Sequence, residues 1–157
     1  MSYYLTQEVT AGDVLTITGP LWHLTDDKTH DKYLLISVWS GITPILSHYT
    51  HLVEQTDRKV DVVQIFGERT ADHILPEMHE AFALQTDSIH NIVTLSREKK
   101  EWYATGYIQE HIDTALAYVQ STQMSVFICG KQEMCTEVRK ILEEKGIDPQ
   151  NIKHEAY

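Results

Sequence analysis

The sequence predicts an α/β protein built on an open, five-stranded parallel sheet with helices on both faces, a Rossmann-like arrangement. Three observations predict it. Short apolar runs recur between turn signals, segments with helical spacing separate the later runs, and glycine-bearing turns stand where strands pass into helices. Parallel neighbours need a crossover connection, and right-handed crossovers through helices cover a sheet on both sides.

The runs are VLTIT (14–18), YLLISV (33–38), VDVVQIF (60–66), NIVTL (91–95) and SVFIC (125–129), with a final strand expected in NIKHEAY (151–157). Most are rich in β-branched residues, as buried strands are. Ile45, Leu46, Tyr49 and Val53 recur at spacings of three and four, as do Ile108, Ile112, Leu116 and Val119, and then Met134, Val138, Ile141 and Leu142. That spacing places each set on one face of a helix. Gly146 and Pro149 stop the last helix. The first thirty residues differ: Ala11, Gly12 and Asp13 suggest a turn before VLTIT, and Gly19 and Pro20 a second turn after it.

Composition narrows the function classes. A chain of 157 residues with 42% hydrophobic residues suits one domain and its core. Lys and Arg number 13 against 23 Asp and Glu, and the net charge of -10 repels nucleic acid and anionic lipid. No apolar run approaches the roughly 20 residues that span a bilayer, and MSYYLTQEV lacks the features of a signal peptide, so a cytoplasmic location is expected. Cys129 and Cys135 are expected as free thiols. His48 and His51 share a helix face, yet no third or fourth ligand stands nearby and no metal is expected.

Four strand ends carry the chemistry. Trp39, Ser40, Gly41, Ile42, Thr43 and Pro44 lead from a strand into a helix, whose unpaired N–H groups and positive dipole suit a pyrophosphate. Pro44 fits the first turn because its missing N–H would be unpaired there. Phe66, Gly67, Glu68 and Arg69 form the second turn, which also reads as a helix entry with a surface ion pair. Ser96 and Arg97 put a hydroxyl and a guanidinium after the third strand, suited to an anion or to solvent alike. Cys129 and Gly130 stand at the fourth, where a merely buried cysteine is the commoner arrangement.

Taken in order, SGITPILS (40–47), FGER (66–69), LSRE (95–98), GYIQEHI (106–112), CGKQEM (129–134) and terminal HEAY (154–157) resemble the nucleotide domain of the ferredoxin:NADP reductase superfamily. The resemblance implies a nicotinamide-nucleotide-binding domain over 32–157, preceded by residues 1–31 as the remnant of an antiparallel, flavin-binding β-barrel. It implies that Ser40, Gly41, Thr43 and Pro44 cradle the pyrophosphate, and that Gly67, Arg69, Gly130 and Met134 join them in holding the nucleotide. Ser96, Arg97 and Tyr107 match positions that hold the 2′-phosphate in relatives specific for NADP, which leans the cofactor toward NADPH over NADH. Cys129, Glu155 and Tyr157 fall at the hydride-transfer centre, with Tyr157 as the aromatic that stacks on flavin. Ser2 matches a serine on the flavin pyrophosphate, and FAD is implied only where a flavin-binding segment is supplied.

The activity so implied is hydride transfer from NAD(P)H to FAD, then electron transfer to an iron-sulfur or haem partner. The competing reading is a nucleotide-domain relative without catalysis, serving as a binding or regulatory module. The departures are Trp39, where relatives usually carry glycine, Lys131 for a proline and Thr105 for a lysine.

Overall fold

A computed structural model of the chain describes residues 3–16, 18, 24–25, 28–55 and 58–157. Six parallel strands form its sheet: β1 (Lys32–Val38), β2 (Asp61–Glu68), β3 (Ile89–Leu95), β4 (Ala104–Thr105), β5 (Ser125–Gly130) and β6 (Ile152–Ala156). Their spatial order is β4-β3-β2-β1-β5-β6. The expected parallel sheet is therefore present, with β4 as an added edge strand. Two residues carry no periodicity, and β4 exists because Thr94 and Leu95 pair with Ala104 and Thr105.

β1, β2 and β5 are buried almost throughout, which is why they read as unbroken apolar runs. Four helices cover them: α1 (Ile42–Thr50), α2 (Pro76–Ala83), α3 (Ile112–Val119) and α4 (Gln132–Glu144). Alternate strand residues feed two layers. Leu34, Ile36, Val126 and Ile128 pack with Ile112, Ala115, Val138 and Leu142 of α3 and α4. On the opposite face, Tyr33, Leu35 and Phe127 pack with Ile45 and Tyr49 of α1, and Phe66 packs with Met78 and Phe82 of α2. α4 stops where the chain turns at Gly146, whose φ of 87° suits glycine.

The incoming segment departs from expectation. The turn forms, with the Asp13 carboxylate accepting from Thr10 N at 2.8 Å and its Oγ1 at 3.0 Å. The strand expected over 14–18 is corrected: Val14, Leu15, Thr16 and Thr18 lie in no strand, and Val14 is 94% exposed. An alternating apolar pattern becomes a strand only beside a pairing edge, and the described residues offer this segment none. Gly19 and Pro20 lie outside the described residues. Further along, Leu24 is buried, and its carbonyl meets His48 Nε2 at 2.9 Å.

Candidate functional site

Strand order places the site. β1 continues through α1 to β2 on one side, while β5 pairs with the other side of β1, so the connections diverge at the β1–β5 seam. Ligands of open α/β sheets bind outside the carboxyl ends of the strands at such a point. Register brings those ends level, with Val38 opposite Gly67, Ser37 opposite Cys129, Gly67 opposite Thr94 and Cys129 opposite Glu155.

A cleft of about 360 Å³ opens above β1, β2 and β3 and is bounded by α4. This volume lies within the roughly 300–1,000 Å³ common to small-molecule sites. Of the residues read from the sequence, Gly67, Arg69, Ser96, Arg97, Tyr107 and Met134 line it together. The loops carrying them are tied to one another: Ser96 N donates to Glu68 O at 2.9 Å, Arg97 N donates to Arg69 O at 2.9 Å, and Ala71 N donates to the Glu98 carboxylate at 2.7 Å. Tyr107 follows Gly106, and its N–H donates to Glu110 Oε1 at 2.8 Å.

The second expected group sits at the seam beside this cleft. Gly41 precedes α1 with φ −62°, an ordinary right-handed value. Its missing side chain is required by proximity, because a Cβ there would run into the Cys129 carbonyl. A Cβ on Gly130 would strike Met134 Cε and the Val38 side chain. Ser40 and Thr43 are exposed, Pro44 is half-buried in the first turn of α1, and Thr43 faces a separate open groove with Leu24 and His48. Tyr157 donates its N–H to Gly130 O at 3.2 Å and its hydroxyl to Val38 O at 3.0 Å, so the terminal ring bridges the seam and is half exposed. Ser2 lies outside the described residues.

Other cleft residues were given no role by the motifs. Glu68, Gln109 and Glu133 lie within the quoted stretches and Glu137 outside them, and all four line the cleft. Trp39 and Lys131, noticed only as departures, prove central. The Trp39 ring has Arg69 Cζ at 4.3 Å and Lys131 Nζ at 4.2 Å from its centroid.

Burial pushes the Cys129 thiol up to about 11, with Cys135 and Glu155 adding to the rise. Cys129 is thus a neutral thiol near pH 7, able to make a soft contact but not to act as a thiolate nucleophile. Burial raises the Cys135 thiol as well. Cys129 keeps a proton in the folded chain that the unfolded chain releases from about pH 9, so its stabilising contribution is complete below that pH and is lost toward pH 11, and Cys135 acts in the same direction. Urea midpoints should fall across this window, and the fall should be shallower in Cys129→Ala.

An open, doubly wound sheet whose strand ends converge on a cation-bearing cleft defines a nucleotide-binding domain of the Rossmann-like class. The chain belongs to the oxidoreductase NAD-binding domain family, whose family model matches residues 35–140. This bears out the resemblance to the ferredoxin:NADP reductase superfamily. The NADH-cytochrome b5 reductase 2 of Neurospora crassa is 25% identical over 97% of this chain and 49% of its own length. The flavohemoprotein of Bacillus subtilis is 27% identical over all of this chain and 40% of its own. The chain thus spans half or less of these relatives. Among solved structures, an Amycolatopsis cytochrome P450 reductase superposes with a TM-score of 0.72 at 22% identity, covering 99% of this chain and 47% of that one. At that identity the likeness speaks for the fold.

Proposed function

We propose that this domain binds NAD(P)H in the cleft above β1, β2 and β3, as the nucleotide-binding part of a flavin-dependent oxidoreductase. The observation that carries the reading is the convergence of Arg69, Arg97 and Lys131 with Ser96 and Tyr107 on one cleft, in a chain of net charge -10. These three cations share the lining with Glu68, Glu133 and Glu137, and the forked guanidinium donors of Arg69 and Arg97 beside the Ser96 hydroxyl suit a ligand bearing phosphates. Arg97 and Ser96 would hold the 2′-phosphate, which favours NADPH, while Ser40, Gly41, Thr43 and Pro44 support the pyrophosphate from the α1 terminus. Cys129, Glu155 and Tyr157 border the place where nicotinamide meets flavin, Cys129 as a neutral contact and Tyr157 as the ring that shields the flavin face. When bound, the flavin supplies hydride acceptance and release of single electrons to an iron-sulfur or haem partner.

Residues 1–31 are assigned to the end of a flavin-binding barrel. The match to the Bacillus subtilis flavohemoprotein extends over the whole chain and supports this. FAD binding then requires the rest of that barrel, with Ser2 on the flavin pyrophosphate. Two buried free thiols suit the reducing cytoplasm, and no helix among the described residues is long and apolar enough to cross a membrane. The alternative, a nucleotide-binding module without catalysis, draws its support from Trp39, which occupies two of the cleft's cations.

Calorimetric titration of the chain with NADPH and NADH tests the reading; saturable binding below millimolar concentration is expected, and no binding of either at millimolar concentration overturns it. Arg97→Ala should weaken NADPH about tenfold, the value of a charge-assisted hydrogen bond, and leave NADH nearly unchanged. Equal losses for both would remove Arg97 from the 2′-phosphate.

A further inference from the structure

Trp39 takes φ +50°, the left-handed region, directly after β1. Glycine enters this region freely, whereas a bulky side chain there is an outlier held by its surroundings. What holds it is visible: Arg69 and Lys131 both lie against its ring, and all three residues line the same cleft. The negative face of an indole attracts cations, so the ring supplies these two with the partner an anion would otherwise supply. One carboxylate of the cleft is engaged elsewhere, because the buried Glu68 side chain accepts from Arg69 N at 2.7 Å. Each cation stands within 4.3 Å of one ring centre. Both are therefore within reach of adjacent phosphates of a single pyrophosphate.

We propose that Trp39 is the specificity-determining residue of the cleft: its indole occupies Arg69 and Lys131, and only a ligand that engages both cations at once, a dinucleotide-type pyrophosphate, displaces it. A single phosphate replaces one cation contact and leaves the other to hold the ring. This rests on the nucleotide-binding reading and adds a threshold to it. The apparent affinity falls by the fraction of molecules in which the ring has moved aside.

The test uses the full chain with Trp22→Phe and Trp102→Phe, so that Trp39 is the one indole, and compares ADP-ribose with AMP. ADP-ribose is expected to change Trp39 emission saturably, and AMP at equal concentration to leave it unchanged. By calorimetry, Trp39→Gly should bind ADP-ribose about tenfold more tightly than the parent and gain measurable AMP binding. Trp39→Phe keeps a ring with a weaker negative face and should fall between the two; it carries the test if the glycine variant does not fold. Saturation by ADP-ribose with unchanged emission and unaltered affinity in both variants overturns the proposal and leaves the nucleotide reading intact. Weaker binding in Trp39→Gly would make the indole a ligand contact and also overturns it. Absence of ADP-ribose binding in the parent and in both variants removes this proposal and the nucleotide reading together.

Discussion

Gly41→Ala is expected to destabilise the domain by about 3 kcal/mol and to abolish nucleotide binding, because the added methyl meets backbone with no route of escape. The Cβ would collide with the carbonyl of Cys129 and come within 3.1 Å of Gly130 N. A flexible side chain could rotate away, but here the obstacle is backbone at the carboxyl end of strand β5. Relief requires α1 to lift from the sheet, which moves the helix terminus away from the seam, or β5 to shift, which breaks the level alignment of Ser37 with Cys129. Urea unfolding measures the first effect and calorimetry with NADPH the second. A variant with parental stability and affinity would show that the seam accommodates a side chain, and would remove the close approach as the reason for this glycine.

Phe127→Ala should cost about 3–5 kcal/mol, the range for deleting a fully buried aromatic ring. Phe127 has no exposed surface, lies parallel to the His48 ring with centroids 4.5 Å apart, and stacks at 6.5 Å with Tyr33. Its loss removes the layer on which α1 rests, beneath the seam rather than at the cleft. For a domain of this size the melting temperature should fall by roughly 10 °C. Nucleotide affinity measured well below that temperature should be retained, since Arg69, Arg97 and Lys131 stand on loops beyond the ends of β2, β3 and β5, away from the Phe127 layer. The pair of variants thus separates stability from site geometry. Gly41→Ala loses both, and Phe127→Ala loses the first alone.

Much of this architecture was legible because burial on both faces leaves a continuous apolar signature. YLLISV, VDVVQIF and SVFIC are strands at nearly the expected bounds for that reason. VLTIT carries a similar signature without a partner in the described chain and forms no strand there, while Ala104 and Thr105 carry no signature and pair through register. Composition marks what can become a strand, and only a neighbouring edge makes it one.

The site divides in the same way. Gly67, Arg69, Ser96 and Arg97 were readable from turns that follow strands, Tyr107 and Met134 were implied by the resemblance, and the six meet in one cleft. Glu68, Gln109 and Glu137 were not, because which side chains of a loop or helix face the cleft depends on how that element packs. Gly41 was readable as a position of close approach to a ligand, and what it approaches in the structure is the Cys129 carbonyl; its backbone angles are ordinary, and the left-handed angle belongs to Trp39.

The sequence by itself determined the alternation of strands and helices, and placed glycines, hydroxyls and cations at the strand ends, because periodicity and turn chemistry act over neighbouring residues. Tertiary structure alone decided that β5 lies beside β1, that Gly41 therefore abuts Cys129, and that Arg69 and Lys131 from different loops reach the same Trp39 ring. Those contacts join segments far apart in the chain. They come into being only when strand order and register bring the ends level, and no local pattern encodes them.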